Sequence, residues 1–260
     1  MKSMPKVGLA LGAGGARGLA HIGVLKVLDA SGIPIHCITG SSMGSIVAAM
    51  YACGVKPDFI GKMADQMRLM KWVDIAVPRM GLAAGRRIAE MYKLVTGNRT
   101  FKDCQIPLAI MATDLVKGEP VTITKGPLHE AMLASSALPG IFPPFKRGKQ
   151  MLVDGGVLER VPIDAARKLG AEVVIAVDVR FASWEPKINN AIDVLFRSYE
   201  LLEREVGRSI ALKADILIHP DLDYIGTLDF AAIEECIQVG EEAAIKALPS
   251  IKKLLRRKQG

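Results

Sequence analysis

The stretch VGLALGAGGARGLAHIGVLKVLDASGIPIHCITGSSMGSIVAAMYAC, Val7–Cys53, makes the same move twice: an apolar run, a glycine turn, a helical pattern. Val7–Leu11 is short, continuously apolar and stopped by Gly12, so it reads as a buried strand. Gly15–Ala30 carries Leu19, Ile22, Leu25 and Leu28 at helical spacing, and Gly32 and Pro34 end it. Ile35–Thr39 is a second strand, and Ser42–Cys53 opens a second helix ended by Gly54. Strands without polar alternation, separated by helices, predict an α/β fold: a parallel or mixed sheet flanked by helices on both faces, in three layers.

Beyond this stretch the pattern loosens and then resumes. Residues 57–100 read as a less regular helical excursion. Its methionines (Met63, Met67, Met70, Met80, Met91) fit core packing or an adaptable wall for acyl chains. Pro107–Thr113 and Pro120–Thr124 read as a hairpin, Pro127–Ala134 as a helix and Met151–Val153 as a short strand. Ile163–Leu169 is a helix, Glu172–Asp178 a β-branched central strand and Asp215–His219 a further one. A long helix is expected over Ile188–Ala214, with Ile188, Ile192, Leu195, Tyr199, Leu202, Val206 and Ile210 in one stripe. A last helix runs from about Ala231 into a basic tail. Without repeat or linker, residues 1–260 are read as a single domain.

Half of the 260 residues are hydrophobic and the formal net charge is +7, an ordinary globular balance. Only 5% are aromatic and basic residues do not interleave with them, so nucleic acid is not expected as a partner. Four separated cysteines (Cys37, Cys53, Cys104, Cys236), with no CxxC pair and no signal peptide, read as reduced thiols of a cytoplasmic protein. The one dense charge cluster is Lys252, Lys253, Arg256, Arg257 and Lys258. It reads as a solvated helix end, with peripheral contact to anionic lipid at the inner membrane face as the alternative.

Two glycine turns carry chemistry. Gly40-Ser41-Ser42-Met43-Gly44 is a GxSxG sequence between a strand and a helix, where glycines let a serine sit on a sharp, exposed turn. The helix behind it presents amides to developing negative charge. An N-cap role explains a serine here, but not a glycine on each side. Gly12-Ala13-Gly14-Gly15-Ala16-Arg17-Gly18 makes a nest of amides for an anion. Arg17 occupies a position where a dinucleotide loop needs glycine, and no Gly-Lys-Ser/Thr follows as a nucleotide loop needs. A tetrahedral oxyanion is therefore the expected anion, with Gly14 and Gly15 as amide donors. Arg17 is either a structural or an anion-facing charge.

The serine needs a base. His21, His36 and His129 read as core or helix residues. Asp178 with His219 has the chain order of an acid–histidine pair, but no glycine shapes a loop to carry His219 across. Asp154-Gly155-Gly156 fits better: it follows a short strand, and its glycines admit close approach by another backbone.

Four blocks in order, GAGGARG with GLAHIGVL, GSSMG, ASSALPGIFPP (Ala134–Pro144) and DGG, resemble the patatin-like phospholipase family. The resemblance spans Gly8 to Pro162. It implies Ser42 as nucleophile and Asp154 as dyad partner, with Gly14 and Gly15 in the oxyanion hole and Arg17 beside them. It further implies lipid acyl-ester hydrolysis through an acyl-enzyme, without metal or cofactor. Alternatives on the same fold are a non-catalytic lipid- or protein-binding protein, or an acyltransferase. Ser135–Pro144 is expected to be a rigid turn that walls the site. Arg160 departs from the family's plant-type members, which usually have Asn there.

Overall fold

A computed structural model describes residues 4–68, 80–81, 85–180, 188–189, 191–207, 213–227 and 229–259. Eight strands form one mixed sheet: β1 (Val7–Leu11), β2 (Cys37–Ser41), β3 (Leu108–Asp114), β4 (Glu119–Ile123), β5 (Phe145–Arg147), β6 (Gln150–Asp154), β7 (Val173–Val177) and β8 (Ile216–Ile218). The order is β5-β6-β3-β2-β1-β7-β8, with β4 paired to β3 off this path. Strands β8, β7, β1, β2 and β3 are parallel neighbours, whereas β4, β5 and β6 run antiparallel to theirs.

Alternation along the central strands builds two cores of unequal depth. In β1, Val7, Leu9 and Leu11 enter the large core, while Ala10 enters a smaller one with Val174, Ala176 and Ala166. Gly8 faces the same shallow side, where a methyl group would stand 2.6 Å from Ala171 Cβ. Helix α6 (Ile163–Lys168) therefore packs close on that face. The deep face is covered by α1 (Ala20–Ala30), α2 (Met43–Ala52), α5 (Leu128–Ser135) and α8 (Ile233–Gln259). The expected three layers are present.

One pairing positions the site. Along one edge of β3, β2 pairs in parallel as far as Ser41↔Met111, and β6 pairs antiparallel from Ala112↔Asp154 onward. Strand β4 occupies the other edge of Ile110–Asp114, so β2 and β6 share this one. Two strands running in opposite senses thus end head to head, at adjacent residues of β3. Gly155 lies at that junction: a side chain there would meet the Met111 carbonyl and stand 2.6 Å from Ser41 Oγ.

Several expectations need correction. A 3-10 turn, Gly15–Leu19, precedes α1, whereas the helical excursion holds where it is described, as α3 (Pro57–Arg68) and α4 (Arg86–Thr96). Strand β5 was not expected; its partner β6 supplies what its own short sequence does not. The long helix is α7, Ala191–Gly207. Ile188 precedes it, and Leu195 and Leu202 are each 68% exposed, so the stripe is not a core face there. The side chains of Ile192 and Val206, and residues 208–212, lie outside what the structure describes. Among the methionines, Met91 is buried, Met63 half-buried and Met80 exposed; Met67 and Met70 lie outside the described side chains.

Candidate active site

Strand β2 delivers Ser42 to the head of α2, with φ 53° and ψ −125°. A non-glycine residue at positive φ is strained, and such strain persists only where surroundings over-determine it. Here they do. The Ser42 amide donates to Ser135 Oγ (3.0 Å), and its carbonyl accepts from Ser45 N (2.9 Å) and Ser45 Oγ (2.6 Å). Gly40 and Gly44 admit the tight turn: a side chain on Gly44 would strike the Leu11 carbonyl and lie 2.7 Å from that of Gly12.

Strand β6 delivers Asp154 from the opposite direction. Ser42 Oγ donates to Asp154 Oδ2 at 2.6 Å, a charge-assisted length. Asp154 Oδ1 accepts from Gly156 N at 2.8 Å, which orients the carboxylate. The side chain is 98% buried (2% exposed), and its backbone amide donates to the Ala137 carbonyl at 3.0 Å. The end of α5 and the residues after it therefore hold both partners: Ser135 grips the serine backbone and Ala137 the aspartate backbone. They are held in turn by Ser136 Oγ, which contacts Tyr92 OH (3.1 Å) and donates to the Met132 carbonyl (2.8 Å).

The glycine loop lies against the elbow. Gly18 allows this, since a Cβ there would be 2.6 Å from Met43 Cβ, directly after Ser42. Within the loop, Gly12 N donates to Val177 O, Ala13 N to Arg160 O and Ala16 N to Thr227 O, each at 2.9 Å. The amides between them, Gly14 and Gly15, donate to no carbonyl or side chain of the described residues. Neither position tolerates a side chain: at Gly14 it would overlap Val179, and at Gly15, where φ is +55°, Thr227. The Gly12 carbonyl accepts from His21 Nε2 at 2.8 Å. His21 is fully buried, and that burial pushes its pKa down to about 4, so the ring is neutral at ordinary pH.

Arg17 takes the structural alternative. It is 1% exposed, and its guanidinium donates to Thr227 Oγ1 (3.0 Å) and the Ile225 carbonyl (3.4 Å), with Thr227 Oγ1 donating onward to Glu200 (2.6 Å). These bonds tie the loop to the C-terminal third of the chain. His219 donates from Nδ1 to the backbone carbonyl of Asp178 (2.7 Å), while the Asp178 carboxylate faces Arg160 and Arg180. The acid–histidine arrangement weighed for that pair is absent. Arg160, the departure from the plant-type pattern, is buried against Asp178, and its carbonyl holds Ala13.

Sequence reading placed Ser135–Pro144 at the wall of the site and weighed His21 only as a base, but passed over Tyr92 and the backbone contacts of Ser135 and Ala137. Only the paired serines before Leu138-Pro139-Gly140 hinted at Ser135. A groove of about 460 Å³ between Lys26, Asp58 and Glu241 lies elsewhere and is lined by no serine, threonine or cysteine.

A sequence profile described as patatin-like phospholipase matches residues 9–167. An uncharacterized NTE family protein of Mycobacterium tuberculosis is 36% identical over 179 residues, covering 68% of this chain and 50% of that protein. Lysophospholipase NTE1 of Coccidioides immitis is 30% identical over 280 residues, covering 95% of this chain and 18% of that protein. The chain thus spans half the length of the mycobacterial relative and less than a fifth of the fungal one. The crystal structure of VipD from Legionella pneumophila superposes with a TM-score of 0.55 at 13% identity, covering 95% of this chain and 67% of that one. That likeness speaks for the fold alone.

Proposed function

The chain belongs to the patatin-like phospholipase family, and on that premise we propose that it is a serine acyl hydrolase of lipid esters, with Ser42 as nucleophile and Asp154 as base. The observation that carries this reading is the 2.6 Å hydrogen bond from Ser42 Oγ to Asp154 Oδ2. Residues 1–260 are read as a single unit, since one apolar core runs from Val7 to Leu255.

As Ser42 Oγ attacks the ester carbonyl, its proton passes to Asp154 Oδ2. A carboxylate is a weaker base than imidazole by about two pKa units, so transfer accompanies bond formation rather than preceding it. The tetrahedral oxyanion is received by the amides of Gly14 and Gly15, aided by the N-terminus of α2. Collapse expels the alcohol, which takes the proton back from Asp154. Water activated by the same carboxylate then releases the fatty acid from Ser42. Arg17, placed by the family resemblance at the oxyanion hole, holds the loop through Thr227 and Ile225.

The name lysophospholipase borne by the fungal relatives favours a single-chain glycerophospholipid as substrate here. Among the described residues no helix is long and apolar enough to cross a membrane. Contact with an anionic lipid surface is assigned to exposed Lys252, Lys253, Arg256 and Arg257 on the last turns of α8.

A fluorophosphonate probe tests the assignment. Wild type should label; Ser42→Ala should not, and Asp154→Asn should label at least about a hundredfold more slowly, at the scale of losing a general base. Equal labelling of wild type and Ser42→Ala would sink it.

A further inference from the structure

The nucleophile helix α2 ends in Cys53, and the backbone around that end is laid directly against the segment leading into β3. The Ala52 carbonyl accepts from Gln105 N at 2.7 Å, joining the residue before Cys53 to the residue after Cys104. Gly54, at φ +83°, lies under the Gln105 side chain, whose Cδ would stand 2.6 Å from any Cβ added there. That backbone contact brings Cys53 and Cys104 to neighbouring places where each thiol influences the other's ionisation, and both are half-buried and unbridged. The other two cysteines, Cys37 and Cys236, are buried. Sequence spacing had separated all four.

We propose that Cys53 and Cys104 form a peroxide-oxidisable dithiol, closing a disulfide between the end of α2 and the lead-in to β3. The two thiols differ as attacking and resolving groups should. The neighbouring Cys104 thiol, and after it the positive Arg99 guanidinium, favour the Cys53 thiolate, so Cys53 is lowered to about 7. Cys104 is pushed up by the neighbouring Cys53 and by burial. A half-exposed thiolate beside a cation is the form that reacts.

The steps balance with a hydroperoxide as the two-electron oxidant. Cys53 thiolate attacks the terminal oxygen, the O–O bond breaks, and the alcohol (water from hydrogen peroxide) leaves, giving a sulfenic acid. Cys104 sulfur then attacks Cys53 sulfur. The S–O bond breaks, and hydroxide departs as water with the Cys104 proton. Two thiols are oxidised and one peroxide is reduced. The cross-link would enclose residues 54–103, which carry α3 and α4.

The test uses the full chain and hydrogen peroxide, read by non-reducing peptide mapping. The expected result is a Cys53–Cys104 linked peptide, reversed by dithiothreitol, with Cys37 and Cys236 still alkylatable after unfolding. Cys104→Ser should instead accumulate a dimedone adduct on Cys53, and Cys53→Ser none on Cys104. Iodoacetamide should alkylate Cys53 about tenfold more slowly at pH 6 than at pH 8, following its thiolate fraction. No linked peptide from folded wild type, or equal dimedone labelling of the two cysteines in the single variants, would overturn the proposal. The readout involves neither Ser42 nor any ester, so it stands or falls apart from the hydrolase reading.

Discussion

Ser42 carries a backbone strain that its own side chain does nothing to relieve. Its φ of 53° is tolerated because Ser135 Oγ accepts its amide and Ser45 satisfies its carbonyl. Ser135→Ala leaves that amide without its partner and frees the elbow to relax. At about 1–2 kcal/mol for such a bond, kcat should fall roughly tenfold with KM little changed and the circular dichroism spectrum retained. His21 makes a second prediction, from its pKa of about 4 against 6.5 for an ordinary histidine. A depressed pKa means that the unfolded chain binds the extra proton between those values. Stability is thus present above pH 6.5 and lost as pH falls towards 4. His21→Gln can keep a donor towards Gly12 but has no proton to gain. Compared with that variant, wild type should lose on the order of 3 kcal/mol between pH 6.5 and 4, read as a steeper fall in Tm. Parallel Tm curves for the two proteins would contradict it. His21 illustrates what a residue's identity does and does not reveal. Its place on the first helix was legible, but its burial and its bond to the loop carbonyl nine positions back depend on how the 3-10 turn folds over.

At the scale of elements, two helices are locked by the absence of side chains. A Cβ on Gly240 of α8 would strike the Ala20 carbonyl, and one on Gly23 of α1 the Ile237 carbonyl. The reciprocal clash is with backbone, which cannot swing aside. Gly240→Val should therefore destabilise by about 2–3 kcal/mol, a Tm loss measurable by calorimetry, although it lies in a helix where valine has no worse propensity than glycine. Unchanged Tm would show that the helices can part at no cost. The element boundaries around Ser42 were readable to within two residues, because a strand, a glycine turn and a helix are each short-range decisions. The stripe on α7 failed for the complementary reason. Periodicity names a face and says nothing of what covers it, and Leu195 and Leu202 face solvent.

For the whole molecule, the C-terminal helix is both structure and surface. Ile251 and Leu255 are buried, and Lys258 reaches the Glu172 carbonyl at 3.0 Å. Deleting residues 251–260 should lower Tm, so it is a poor probe of lipid contact. Replacing exposed Lys252, Lys253, Arg256 and Arg257 by Gln should leave Tm nearly unchanged and weaken binding to anionic vesicles, at about 1 kcal/mol per cation at low salt. Vesicle binding unaltered by all four changes would refute that contact. The sequence by itself determined the α/β class, the strained serine turn and the glycine loop, because each depends on residues adjacent in the chain and on sterics that only glycine meets. Only the tertiary structure decided that β2 and β6 end head to head on β3, which turns a serine and an aspartate 112 residues apart into a 2.6 Å pair. It also decided that Ser135 and Ala137 brace them, that Arg17 turns towards Thr227, and that Cys53 meets Cys104. Those outcomes follow from strand order and long-range packing, which bring together side chains that no local spacing relates.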